Sequence, residues 1–117
     1  MTFSDYMNMS IEITDWGKIY YYTGNNYRFA LYAYDDDKDN IYLANLDVKK
    51  ESRNQGIGNA VLKLVLKESI KHNAKSIFLK CLKTSWVYDW YVRNGYEYYC
   101  NGDLNYVWLH KAIISHV

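Results

Sequence analysis

An α+β fold, built on a mixed and mostly antiparallel sheet with one central parallel strand pair and packed helices, is the class this sequence predicts. Three observations carry it. Residues 11–48 form a run of Tyr-, Ile- and Leu-rich segments divided by polar turns. The apolar period then changes from two to about 3.6 across residues 57–72. Two apolar segments flanking a short amphipathic stretch follow, and Asn101-Gly102 divides the last of them.

In chain order, residues 11–13, 19–22, 27–34 and 41–48 read as strands of a meander. Gly24-Asn25-Asn26 supplies positive-φ residues for one hairpin, and residues 35–40 a polar connection for the next. Between Ile57 and His72, Asn59, Lys63, Lys67 and Lys71 make a polar stripe, while Ala60, Val61, Leu62, Leu64, Val65, Leu66 and Ile70 fill the buried remainder. Lys71 and His72 suit the carbonyl-rich helix end, and Asn73 is placed for a left-handed cap. Residues 76–83 form an inner strand. One helix separates it from the preceding strand, so the two run parallel as a right-handed βαβ unit. Ser85 caps a second helix, with Trp86, Trp90, Val87 and Tyr91 on its inner side and Gly95 at its end. Residues 96–100 and 103–110 then form a hairpin about a two-residue Asn101-Gly102 turn.

Composition narrows the function classes. At 117 residues the chain suits a single domain, 1–117, with a packed core; half its residues are apolar and 18% are aromatic. A net charge of +1 with dispersed basic residues argues against a nucleic-acid or acidic-membrane partner. No apolar run approaches the ~20 residues that span a bilayer, and the opening segment lacks a secretion pattern. Cys81 and Cys100 lie in strand segments without ligand spacing, and His72, His110 and His116 show none either. A reduced, cytoplasmic setting without a metal is expected.

The chemistry concentrates at Arg53-Asn54-Gln55-Gly56-Ile57-Gly58, entered from a strand and leaving into a helix at Asn59. A helix N-terminus offers unpaired N–H groups and the positive end of its dipole, so a glycine-containing turn there surrounds an anion with donors. A nucleotide P-loop needs Lys then Ser or Thr after its last glycine, where this chain has Asn59 and Ala60. A dinucleotide fingerprint needs Gly or Ala at position 61 and an acidic residue about twenty positions on. The chain has Val61 and the apolar Ile77-Phe78-Leu79.

The remaining pattern resembles the Gcn5-related N-acetyltransferase (GNAT) family. Its first signature is Arg or Gln, two residues, Gly, one residue, then Gly or Ala, after a strand ending in Val; here Val48, Arg53, Gly56 and Gly58 match. Its second, Asn-x-x-Ala-x-x-Leu-Tyr-x-x-x-Gly-Phe, aligns without a gap on residues 85–96 through Tyr91, Gly95 and the aromatic Tyr96. Ser85 stands where the family carries its pantetheine-contacting Asn, and Tyr88 where it carries Ala. The resemblance covers residues 41–111 closely. It implies a GNAT-like, three-layer α/β version of the fold, with acetyl-coenzyme A (acetyl-CoA) as cosubstrate. The pyrophosphate would lie on residues 53–59, and pantetheine would pair with Leu46 and Val48 and reach Ser85.

What the resemblance implies chemically is transfer of the acetyl group to a primary amine by direct attack. Tyr91 is then the acid for the departing thiolate; a phenol of pKa ~10 is protonated at neutral pH and can donate to a thiolate of pKa ~8.5. An N–H near Leu46 would hold the oxyanion. Asp47 is a carboxylate candidate for the base, with Tyr42 or water as alternatives. Asp35, Asp36, Asp37 and Asp39 read as a polar turn that could also attract a cation, and Cys81 reads as core packing.

One departure bears on the acceptor. Family members place two helices between their first two strands, and the 26 residues before Tyr27 already contain two candidate strands. Either the acceptor side is open, suiting a protein or peptide amine, or a second subunit completes it as a homodimer. A non-catalytic acyl-CoA-binding or protein-interaction module is the competing reading.

Overall fold

Pairing along the chain builds one sheet in the computed structural model, which describes residues 7–49 and 56–113. Seven strands are present among these residues: β1 (Asn8–Ile13), β2 (Gly17–Thr23), β3 (Tyr27–Tyr34), β4 (Asn40–Val48), β5 (Ser76–Leu82), β6 (Glu97–Asn101) and β7 (Tyr106–Ala112). Helices α1 (Ile57–Lys71) and α2 (Trp86–Arg93) complete the order. The strands lie in the sequence β1-β2-β3-β4-β5-β7-β6, all antiparallel neighbours except the parallel pair β4 and β5. Mixed sheet, central parallel pair and crossover helix are therefore as the sequence predicts. Residues 53–55 and His116, singled out in the sequence, lie outside the described residues, as does the opening segment 1–6.

Period-two patterning decides which face is buried. Leu31, Ile41, Leu43, Ile77, Leu79, Cys81, Val107 and Leu109 alternate inward and meet Val61, Leu62, Leu64 and Val65 of α1 and Tyr91 of α2 in one core. Both helices thus pack on one face. The other face is aromatic. Tyr32, Tyr34, Tyr42, Phe78 and His110 project there, Trp16 stacks on Tyr34 and Tyr32, and no described helix covers them. β1 and β2 occupy the stretch before Tyr27 in which two helices were missing.

The polar stripe of α1 is exposed as expected, and its end is a Schellman motif. Asn73 adopts φ 61° and donates to the Ile70 carbonyl, and Ala74 donates to that of Ser69. One inner-face assignment is corrected: Ile70 is exposed, and Glu68 and Ser69, polar in sequence, are buried. Ser69 Oγ satisfies itself on the Val65 carbonyl at 2.7 Å, and Glu68 meets the Lys71 ammonium at 3.1 Å. The final turn is also longer than Asn101-Gly102. Gly102 donates to the Tyr106 carbonyl and Tyr106 to that of Asp103, making a four-residue loop whose left-handed residue is Leu104 at φ 55°.

His72 anchors the end of α1 to the sheet. Its ring stacks on Tyr20 at 3.9 Å, and Nε2 lies 2.9 Å from the Tyr22 hydroxyl. Burial holds its pKa below the ordinary histidine value despite the opposing charge of Glu68. A depressed folded-state pKa means the native state binds fewer protons than the unfolded chain, so this stability is present above pH ~6.5 and lost as pH falls. Denaturant midpoints are expected to drop between pH 7 and 5, and His72→Gln to flatten that slope. An equal slope in the variant would assign it to other groups.

No described helix is long and apolar enough to cross a membrane. Cys81 is a buried free thiol and Cys100 an exposed one.

Candidate functional site

The parallel strands pair with each other only through Asn40–Tyr42 and Ser76–Phe78. Beyond that β4 stays paired to β3 and β5 to β7, but no longer to one another, which leaves a gap between them. A bulge lies in the same part of β4. Arg28 faces Asp47 while Ala30 faces Ala44, so Asn45 and Leu46 oppose the single residue Phe29. Asn45 takes φ 56°, a conformation Asn tolerates better than most residues. The extra residue releases the Leu46 backbone from the ordinary ladder. It also settles where Asp47 points: beside Arg28, 3.9 Å away, on the face opposite the helices and about half exposed. Leu46 and Val48 turn toward the core.

Into this gap opens a cleft of about 470 Å³, bordered by Leu46, Asp47 and Val48 of β4, by Gly56, Gly58 and Asn59 at the start of α1, and by α2. A second cleft of about 510 Å³ touches Tyr21, Arg28, Ala30 and Asn45 and shares Leu46 and Asp47 with the first. Two adjacent β4 residues thus stand where the clefts meet.

The start of α1 opens onto the first cleft. Gly56 sits at φ 75°, ψ 0°, the left-handed region, and a Cβ there would meet no atom of the described residues within 4 Å. Conformation is what requires glycine here. Among the described residues no side chain caps α1, and its first turn has no acidic residue, so its N–H groups and the positive end of its dipole lie at the cleft border. Gly58 has a different reason. A Cβ there would lie 3.1 Å from the Trp90 ring, so its missing side chain makes room for an indole. Trp90 Nε1 donates to Asn59 Oδ1 at 2.9 Å, locking α2 to the first turn of α1.

Tyr91 lies beneath this clasp, 7% exposed, its ring against Trp90 and Tyr96. Burial, with the Cys81 thiol adding to it, raises its pKa well above the ordinary phenol value. The hydroxyl therefore remains a proton donor across the working range. Tyr42 answers differently to its candidacy as a base. Its hydroxyl donates to Asp37 Oδ2 at 2.8 Å, and burial followed by that bond pushes its pKa up to about 12. Held protonated, it is a poor base at neutral pH.

Of the sequence-predicted residues, Leu46, Asp47, Val48, Gly56, Gly58, Asn59 and Tyr91 converge on the cleft. Ile57 packs against the core. Ser85 occupies the N-cap position of α2, but its hydroxyl donates to the Leu82 carbonyl at 2.9 Å instead of capping the helix, and it is not in the cleft wall. Arg53, Asn54 and Gln55 lie outside the described residues. Sequence reading missed Trp86, Val87, Trp90 and Arg93 as cleft residues. Trp86 was expected inside yet is 66% exposed. Its spacing from Trp90 gave the shared face of α2; only the position of α1 shows what that face looks onto. Among the described residues no cluster of His, Cys, Asp or Glu could hold a metal.

The model of the acetyltransferase (GNAT) family matches residues 14–97. The chain belongs to that family. Its fold is similar to a GNAT family acetyltransferase from Elizabethkingia anophelis with acetyl-CoA bound, at TM-score 0.66 and 14% identity over 92% of this chain and 99% of that one. It is also similar to a GNAT acetyltransferase from Staphylococcus aureus, at TM-score 0.67 and 21% identity over 84% and 68% of the two chains. A third likeness is to the PaiA N-acetyltransferase from Thermoplasma acidophilum in complex with coenzyme A, at TM-score 0.67 and 16% identity. That match covers 80% of this chain and 59% of the other. At such identities these structures speak for the fold. No curated protein matches the chain significantly.

Proposed function

We propose that this GNAT protein transfers the acetyl group of acetyl-CoA to a primary amine, on a protein lysine, an N-terminus or a small molecule. The observation that carries the reading is the single cleft joining the uncapped start of α1, the gap between β4 and β5, and buried Tyr91. The similarly sized Elizabethkingia anophelis acetyltransferase, which has acetyl-CoA bound, supports the choice of donor.

In this reading the N-terminal amides of α1 and the turn at Gly56 take the pyrophosphate, and pantetheine follows Leu46 and Val48 into the gap. Asp47, at the meeting of the two clefts, takes one proton from the ammonium directly or through water, and the freed amine nitrogen adds to the thioester carbon. A donor from the Leu46 backbone stabilises the resulting oxyanion. As that intermediate collapses the carbon–sulfur bond breaks, Tyr91 gives its proton to the departing thiolate, and the second proton shed by the nitrogen returns to Tyr91 through water. The uncovered aromatic face leaves the acceptor side open to a protein or peptide amine.

Calorimetry with acetyl-CoA, followed by mass spectrometry of a host lysate incubated with the protein and labelled acetyl-CoA, tests the proposal. Binding and labelled amines are expected. Binding without any transfer would favour a non-catalytic module, and no binding would end both readings.

A further inference from the structure

Along α2, Trp86, Trp90 and Arg93 follow at intervals of four and three, which places them on one helix face, and all three border the cleft. They do different things. Trp90 is fixed: its ring fills the space beside Gly58, its Nε1 is bound to Asn59, and its carbonyl accepts from Asn94 Nδ2 at 2.8 Å. Trp86 is tilted 51° to Trp90 with centroids 6.2 Å apart and is two-thirds exposed at 66%. It therefore presents an indole face that the core does not use. Arg93 makes no ion pair among the described residues, although Asp89 precedes it by four. An apolar ring and a cation thus flank the anion-binding start of α1.

We infer that this strip holds the adenosine 3′-phosphate end of the donor. The face of Trp86 stacks on the adenine, Trp90 forms the fixed wall, and Arg93 pairs with the 3′-phosphate. The inference rests on the acetyl-CoA reading and extends it to residues that the phosphate turn and Tyr91 leave unused. A planar base on an indole and a phosphate dianion on a guanidinium are the contacts these groups form best.

Titration with CoA, read by calorimetry and by tryptophan emission, tests it. Trp86→Ala is expected to weaken CoA roughly tenfold, the scale of one base–aromatic stack, and to lose most of the emission quench. Trp86→Phe, which keeps a ring, should stay within about threefold of the wild type. Dephospho-CoA should bind the wild type several-fold more weakly than CoA, a difference that Arg93→Ala should erase. A CoA affinity within twofold of wild type for Trp86→Ala, or Trp86→Phe as weak as Trp86→Ala, overturns the stack. Equal binding of CoA and dephospho-CoA by the wild type overturns the Arg93 pairing. A wild type that binds no CoA removes the underlying reading as well, so the two failures are told apart.

Discussion

Gly56→Glu is expected to abolish CoA binding while leaving the protein folded. The position is left-handed, at φ 75°, so any side chain costs strain of about 1–2 kcal/mol. A Cβ there meets no atom of the described residues within 4 Å. The new carboxylate would stand at the start of α1, whose first turn carries no acidic residue, and satisfy the helix dipole in place of a phosphate. An approaching phosphate then meets a like charge. At about 4 Å and an effective dielectric near 20, that repulsion is roughly 4 kcal/mol, or about a thousandfold in affinity. Gly56→Ala carries the strain without the charge and should lose less than about tenfold. Calorimetry with CoA on both variants, alongside a denaturation curve for each, separates the effects. A glutamate variant that binds CoA within about tenfold of wild type would place the pyrophosphate elsewhere.

Gly56 was readable because its requirement is local: a left-handed residue between strand and helix is a backbone demand that sequence displays. Asn73 was readable for the same reason, and so were the strands, since Leu31, Ile41 and Ile77 alternate with polar or aromatic neighbours that face the other way. What failed to show required a third element. Asn45 looked like an ordinary strand residue, and only its pairing with β3 reveals the bulge that sends Asp47 outward. Trp86 and Trp90 looked equivalent at four-residue spacing. The first turn of α1 tells them apart, by binding one through Asn59 and leaving the other at the cleft mouth. The Asn101-Gly102 signal was overridden by register. Asn101 pairs with Val107, which draws residues 102–105 into the loop and makes the two-residue turn impossible. The stretch before Tyr27 was legible too: its residues spell the two strands β1 and β2 where family members carry helices.

Tyr91→Phe should separate chemistry from binding. The substitution keeps the ring that packs at 4.9 Å from Trp90 and 5.4 Å from Tyr96, so the core and the adjoining clasp on Asn59 persist. Only the hydroxyl is lost. If that hydroxyl protonates the departing thiolate, kcat falls about a hundredfold, close to 3 kcal/mol of transition-state stabilisation, while acetyl-CoA affinity stays within about twofold. The direction of the pKa shift adds a second readout. Burial keeps Tyr91 protonated well beyond the ordinary phenol range, so its donor form does not titrate across neutral pH. The deficit of the variant should therefore be the same at pH 6.5 and pH 9, and any alkaline limb in the wild-type profile should survive in the variant. A wild-type limb that vanishes with the hydroxyl would mean Tyr91 titrates in that range. Unchanged kcat with lowered thermal stability would make Tyr91 a core residue and pass the thiolate's proton to water, which the cleft beside Val87 and Gly58 is open enough to admit.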